Sequence, residues 1–175
     1  MDMSELVKDT IRTWTTERPD LDFTAMSTAL KLNLLVDKTF QSINKHMLEL
    51  GLTLGEFDVL ATLRRHGKSG VLMPTEIAGF AMISPSGLTN RLTRLEKMGH
   101  IDRLSDPNDR RISLARLTAK GRKVADLGIS FASSHSTEMM GRIDSADLAV
   151  FNKVIEQMMR SVEERPTLGR SQSGA

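Results

Sequence analysis

The chain has no cysteine and no tyrosine, and only one tryptophan and four histidines in 175 residues. Without cysteine it forms no disulfide framework, offers no thiolate nucleophile and binds no zinc through sulfur, a composition that suits a reducing cytoplasm. His46, His66, His100 and His135 fall in no paired metal-ligand spacing, so no metal site is expected. Aromatic residues make up 4% of the chain, too few for single-strand nucleic-acid binding by base stacking. No apolar run approaches the roughly 18 residues of a membrane span. Asp2, Glu5 and Asp9 stand where a signal peptide would be basic and then apolar, so a cytoplasmic address without membrane contact is expected. GxGxxG, P-loop, HExxH and nucleophile-elbow spacings are missing too, which argues against an enzyme and against a bound cofactor.

What is present is a globular composition. Hydrophobic residues at 39% beside 26% charged ones are enough to build a core, and the length suits one domain with helical extensions. The net charge of +2 conceals an asymmetry. Ser84 to Lys123 holds ten Lys/Arg against four acids, a net of +6, which leaves −4 for the remainder. Such a segment attracts polyanions, because contacts to phosphate release counterions. On charge alone, a solvated basic face is the competing explanation.

Helical signals dominate the order of elements. A first helix over Ser4 to Thr16 stops before Pro19; a second, capped by Asp22 or Thr24, runs to about Leu50, with Gly51 as its stop. Leu30, Leu34, Leu35, Ile43 and Met47 give the second helix an apolar stripe that must be buried. Gly55 to His66 reads as a third helix, and Pro74 opens a short fourth. Ser84-Pro85 supplies an N-cap and an N1 proline for a fifth, which Gly99 closes. Ile101 to Leu104 and Ile112 to Leu117 flank Asp106-Pro107-Asn108-Asp109-Arg110-Arg111, the pattern of a β-hairpin with a charged tip. Thr118 caps a sixth helix to about Met140, Ser145 a seventh to about Glu164, and Pro166 to Ala175 forms a frayed tail.

On a wheel of about 100° per residue, Leu88, Leu92 and Leu95 share one narrow stripe of the fifth helix. The other face carries Ser86, Asn90, Thr93 and Lys97, with Thr89 and Arg94 on its flanks and Ser84 at the cap. Short hydrogen-bonding and basic side chains suit base edges and phosphates in a major groove. A polar face on one amphipathic helix is ordinarily only a wet surface. Here a short helix and a three-residue joint precede it, the helix-turn-helix spacing, and a basic hairpin follows.

Ser84-Pro85-Ser86-Gly87-Leu88-Thr89-Asn90-Arg91-Leu92, Arg94 to Gly99, Ile101-Asp102-Arg103, the Asp106 to Arg111 segment and Leu117-Thr118-Ala119-Lys120-Gly121 resemble the MarR family of winged helix-turn-helix repressors, over about Leu52 to Lys123. The resemblance implies a mainly α fold with a small β-hairpin wing, and interlocking N- and C-terminal dimerisation helices. The expected divisions are 1–51 (extra helix and dimerisation arm), 52–117 (winged helix-turn-helix domain), 118–164 (dimerisation helices) and 165–175 (flexible tail). It further implies a homodimer on a pseudo-palindromic double-stranded DNA operator, with the fifth helix in the major groove and the wing in the minor groove. Asp109 would then orient Arg111 for minor-groove insertion while Arg110 meets the backbone. Leu148, Phe151, Val154, Ile155, Met158, Met159 and Val162 of the seventh helix agree with a dimer, although packing on its own domain would also bury them.

Arg91 sits roughly 60–70° from the centre of the leucine stripe, pointing sideways into the domain. A half-buried arginine needs an anion: Asp58, Glu96 or a bound ligand. Asp58 also shares a polar edge with Thr62 and Arg65, an ordinary exposed position. Trp14, Glu17 to Phe23, Glu56-Phe57-Asp58-Val59-Leu60, Thr89-Asn90-Arg91 and Asp102-Arg103 are similar to the urate-responsive, PecS-like branch of that family, which has an extra N-terminal helix. This implies a ligand site at Trp14, Asp58, Arg91 and Arg103, with an Asp58–Arg103 contact that a purine anion disturbs. Trp14 read by itself is equally a plain core aromatic. The expectation is a repressor released by urate or a related purine. The alternatives are a regulator responding to a phenolic or lipophilic ligand, and an architectural DNA-binding protein with no switch.

Overall fold

A computed structural model of the chain describes residues 2–66, 70–81, 83–105 and 113–164. α1 (Met3–Glu17) starts where the Asp2 carboxylate accepts the Ser4 N–H, and Arg18 just beyond it forks onto Asp20 at 2.8 and 2.6 Å. At the head of α2 (Thr24–Glu49) the N-cap is Phe23, not the expected Asp22 or Thr24, and it has no side-chain cap bond; just before it, Asp22 Oδ1 accepts the Thr24 N–H and hydroxyl at 2.9 and 2.7 Å. Gly51, at φ 76°, turns the chain out of that helix in a conformation side chains resist. α3 (Leu54–Arg65) opens with a capping box, Thr53 and Glu56 satisfying each other's backbone N–H.

β1 (Val71–Leu72) was not foreseen, since two residues carry no periodicity. α4 (Pro74–Ala81), α5 (Pro85–Lys97), β2 (Ile101–Ser105) and β3 (Ser113–Leu117) follow. The sheet order is β1-β3-β2, antiparallel throughout, with Ile101 opposite Leu117 and Ser105 opposite Ser113. The expected hairpin is thus present at its root. Its tip, Asp106 to Ile112, lies outside the described residues, as do the turn at 67–69, Met82 and the tail.

The remaining elements are α6 (Ala119–Met140) and α7 (Ser145–Glu163). Asp144, not the expected Ser145, caps α7: Ser145 is already helical, and the Asp144 carboxylate accepts the Ala146 N–H at 2.8 Å. The core gathers Leu52, Leu60 and Leu63 from the α3 region, Ile77 from α4, Leu88, Leu92 and Leu95 from α5, and Ile101 and Leu117 from the sheet. α6 joins it through small residues. A Cβ on Gly128 would lie 2.5 Å from the Phe57 ring, and one on Gly121 would lie 1.9 Å from the His100 carbonyl oxygen.

The chain divides into two compact units, Met1–Ala132 and Ser133–Ala175. The break falls inside α6, whose first turn is bonded to the α5–β2 junction. The Thr118 hydroxyl accepts the Gly121 N–H at 2.9 Å and reaches the carbonyls of Gly99 and His100, while Lys120 Nζ donates to the Met98 carbonyl at 2.8 Å. In the second unit α7 has no buried residue, and Val150, Val154, Met158, Met159 and Val162 are exposed. Among the described residues no helix is long and apolar enough to cross a membrane.

Candidate nucleic-acid interface

α5 is fixed at both ends by its own sequence. Ser84 Oγ accepts the Gly87 N–H at 3.4 Å, Pro85 occupies N1, and Gly99 at φ 72° follows the C-cap Met98. Leu88, Leu92 and Leu95 are buried. That orientation leaves Ser84, Ser86, Thr89, Asn90, Thr93, Arg94 and Lys97 exposed. Ser86, Asn90 and Lys97 make no hydrogen bond or ion pair among the described residues, so their donors and acceptors remain available. Thr89 and Thr93 donate their hydroxyl protons to the carbonyls of Pro85 and Thr89, at 3.1 and 3.0 Å.

Two ion pairs hold this face in place. Arg94 Nε lies 3.3 Å from Oε1 of Glu56, whose other oxygen accepts the Thr53 N–H in the capping box at 2.8 Å. A carboxylate that starts α3 therefore also tethers α5, and it is almost fully buried. Thr53-x-x-Glu56 is the capping-box spacing, the one local signal in the sequence that points to Glu56. On the other side, Arg103 of β2 approaches Oε2 of Glu96 at 3.1 Å and donates to Thr93 Oγ1 at 3.2 Å. Below it, Arg116 bridges to Asp102 across the β2–β3 pair at 2.7 Å. Asp109, Arg110 and Arg111 lie outside the described residues.

His100 anchors the junction beyond α5. It is buried, its Nδ1 has no hydrogen-bond partner among the described residues, and its carbonyl accepts the Thr118 N–H at 3.1 Å. Desolvation, reinforced by the Lys120 cation and opposed by Glu56, holds its pKa below the usual histidine value.

The four residues assigned to a ligand are only partly brought together. The Arg91 guanidinium lies against the start of α3: a Cβ on Gly55 would come within 2.6 Å of its Nε. Among the described residues it makes no hydrogen bond or ion pair, and its electrostatic partner is half-buried Asp58. Burial pushes the Asp58 carboxyl up, and the Arg91 cation opposes that shift. Glu96 is not the partner of Arg91, because Arg103 occupies it. For the same reason the Asp58–Arg103 contact that the resemblance implied is not made: β2 directs Arg103 to Glu96 and Thr93. Trp14 is 47% exposed and stacks on Phe23 with ring centroids 6.3 Å apart, so it belongs to the α1–α2 turn and not to a core. Among the described residues no group of three or more His, Cys, Asp or Glu could hold a metal ion.

A model of the MarR family matches residues 52–113. The chain is 39% identical over 118 residues to the HTH-type transcriptional regulator PecS of Dickeya dadantii, covering 66% of this chain and 69% of that protein. It is 32% identical over 84 residues to the multiple antibiotic resistance protein MarR of Salmonella typhimurium, covering 48% of this chain and 56% of that one. Among solved structures it resembles AbsC, a MarR family transcriptional regulator from Streptomyces coelicolor, with a TM-score of 0.68 at 19% identity, covering 83% of this chain and 99% of AbsC. A mutant MarR from E. coli complexed with operator DNA gives a TM-score of 0.63 at 22% identity, covering 78% of this chain and 96% of that one. These structural likenesses bear on the fold.

Proposed function

The chain belongs to the MarR family of DNA-binding transcriptional regulators, and on that premise we propose that it is a homodimeric repressor of a pseudo-palindromic duplex site, released by a small anionic aromatic ligand. The observation that carries the DNA side is the outer face of α5, where Ser86, Asn90 and Lys97 have no hydrogen-bond or ion-pair partner among the described residues while Leu88, Leu92 and Leu95 lock the helix from behind. Each protomer lays this face in a major groove, and in the wing Arg111, oriented by Asp109, enters the neighbouring minor groove while Arg110 meets the backbone. Two-fold pairing sets the two helices about one DNA turn apart. The apolar side chains exposed on α2 (Leu35, Val36, Phe40) and on α7 are surfaces that a second copy would bury.

Arg91 supports the ligand side. A cation partly withdrawn from water, with no hydrogen-bonded partner among the described residues and a burial-weakened carboxylate nearby, favours an added anion. Urate or a related purine offers charge and carbonyls to Arg91. Because Arg91 belongs to α5, the ligand shifts the reading face, provided that it prefers the DNA-incompetent state. Trp14 and Arg103 join this site only if the chain rearranges from the contacts described above.

The experiment is a titration of operator binding with urate and xanthine in the wild type and in Arg91→Ala. The proposal expects wild-type affinity to fall and Arg91→Ala, which must still bind DNA, to lose the response. Unchanged wild-type affinity, or a full response in Arg91→Ala, contradicts the ligand mechanism. A phenolic ligand that releases the operator where purines do not would favour the alternative effector class.

A further inference from the structure

The Thr93 hydroxyl is committed before any DNA arrives. A threonine hydroxyl has one proton and two lone pairs. The proton points into the helix, toward the Thr89 carbonyl at 3.0 Å, and one lone pair accepts from Arg103 Nη2 at 3.2 Å. Arg103 is itself held at Nε by Glu96 at 3.1 Å, one turn along the same helix face. A three-residue bracket from β2 thus sets both the rotamer and the polarity of a side chain on the exposed face of α5. What remains outward is one lone pair and a methyl group.

We propose that Arg103 is a positioning residue for sequence readout: backed by Glu96, it holds the Thr93 hydroxyl as an acceptor only, so that α5 selects a base carrying an exocyclic amino group at that point. In the major groove those bases are adenine, through N6–H, and cytosine, through N4–H; guanine O6 and thymine O4 present acceptors that face a lone pair unfavourably. The inference rests on α5 entering the major groove as proposed above. It also assigns Arg103 a duty at the DNA face that is separate from any ligand.

The test is selection from random-sequence duplex DNA with the full chain, comparing wild type with Thr93→Ser, Thr93→Val, Arg103→Gln, Glu96→Gln and Asn90→Ala. Wild type and Thr93→Ser should enrich adenine or cytosine over guanine and thymine about fivefold at one position per half-site, the net worth of a single hydrogen bond. Thr93→Val should abolish that preference. Arg103→Gln and Glu96→Gln should relax the same position and leave the others sharp, which a loss of general stability would not do. The inference is overturned if those two variants weaken every position equally, or if they leave the Thr93 position as selective as in wild type while Asn90→Ala relaxes its own. If no α5 variant changes any position, the groove assignment itself fails and this inference falls with it.

Discussion

Gly121 is the position where one methyl group should do most harm. An added Cβ would sit 1.9 Å from the His100 carbonyl oxygen and 2.8 Å from its carbon, both backbone atoms that cannot swing away. The first turn of α6 must then lift off the α5–β2 junction, which strains the Thr118 bonds to Gly99 and His100 at 2.9 and 3.1 Å and the Lys120–Met98 bond at 2.8 Å. Overpacking of this kind costs about 1–3 kcal/mol, and a weakened cap about 1 more. Replacing glycine by alanine inside a helix returns about 1 kcal/mol. Gly121→Ala should therefore lose about 2 kcal/mol, a fall of about 4–8 °C in Tm for a chain of this size. Gly79, on α4, has nothing within 4 Å of its ideal Cβ, so the same substitution there should raise Tm by about 1–4 °C. Thermal unfolding of both variants at one fixed protein concentration, which holds any association constant, decides the matter. A Gly121→Ala protein as stable as the wild type, or the same sign at both positions, would refute the packing described at this junction.

Three further outcomes follow from the same geometry. His100 is buried with its pKa depressed, so its contribution to stability is complete above the unfolded value of 6.5 and declines as pH falls toward the folded value, at up to about 1.4 kcal/mol per pH unit; denaturant midpoints between pH 7.5 and 5.5 should drop, and a rise would contradict this. Removing the cation in Arg91→Ala should drive the Asp58 carboxyl still higher in an NMR titration, because only burial would then act on it, whereas a fall would show that Arg91 is not its neighbour. Asn90→Ala should cost roughly 1–3 kcal/mol on the selected site and much less on random duplex, measured by equilibrium binding; equal losses would mark Asn90 as a backbone contact.

α5 was legible because three local signals coincide in it: Ser84-Pro85 at its start, Gly99 past its end, and leucines at 88, 92 and 95 that fix which side is wet. Thr118 and Gly121 were legible as a motif, but the reason for the glycine, a carbonyl oxygen where a Cβ would go, exists only in three dimensions. Pairings across elements were the least visible. Several acids stand within reach of any arginine in sequence, so nothing local assigns Glu56 to Arg94 or Glu96 to Arg103; the packing of α3 and β2 against α5 does. The second unit begins within α6, whose N-terminal part packs on the core through Ala125 and Gly128, a distinction that uninterrupted helical periodicity cannot express.

Dimethyl sulfate protection on a selected duplex tests the central claim most directly, because the reagent methylates guanine N7 in the major groove and adenine N3 in the minor groove. Two blocks of N7 protection about one helical turn (roughly 10 base pairs) apart, weakened by Asn90→Ala and Lys97→Ala, are the result expected of paired α5 helices. Protection confined to adenine N3, or N7 protection indifferent to both substitutions, would contradict it.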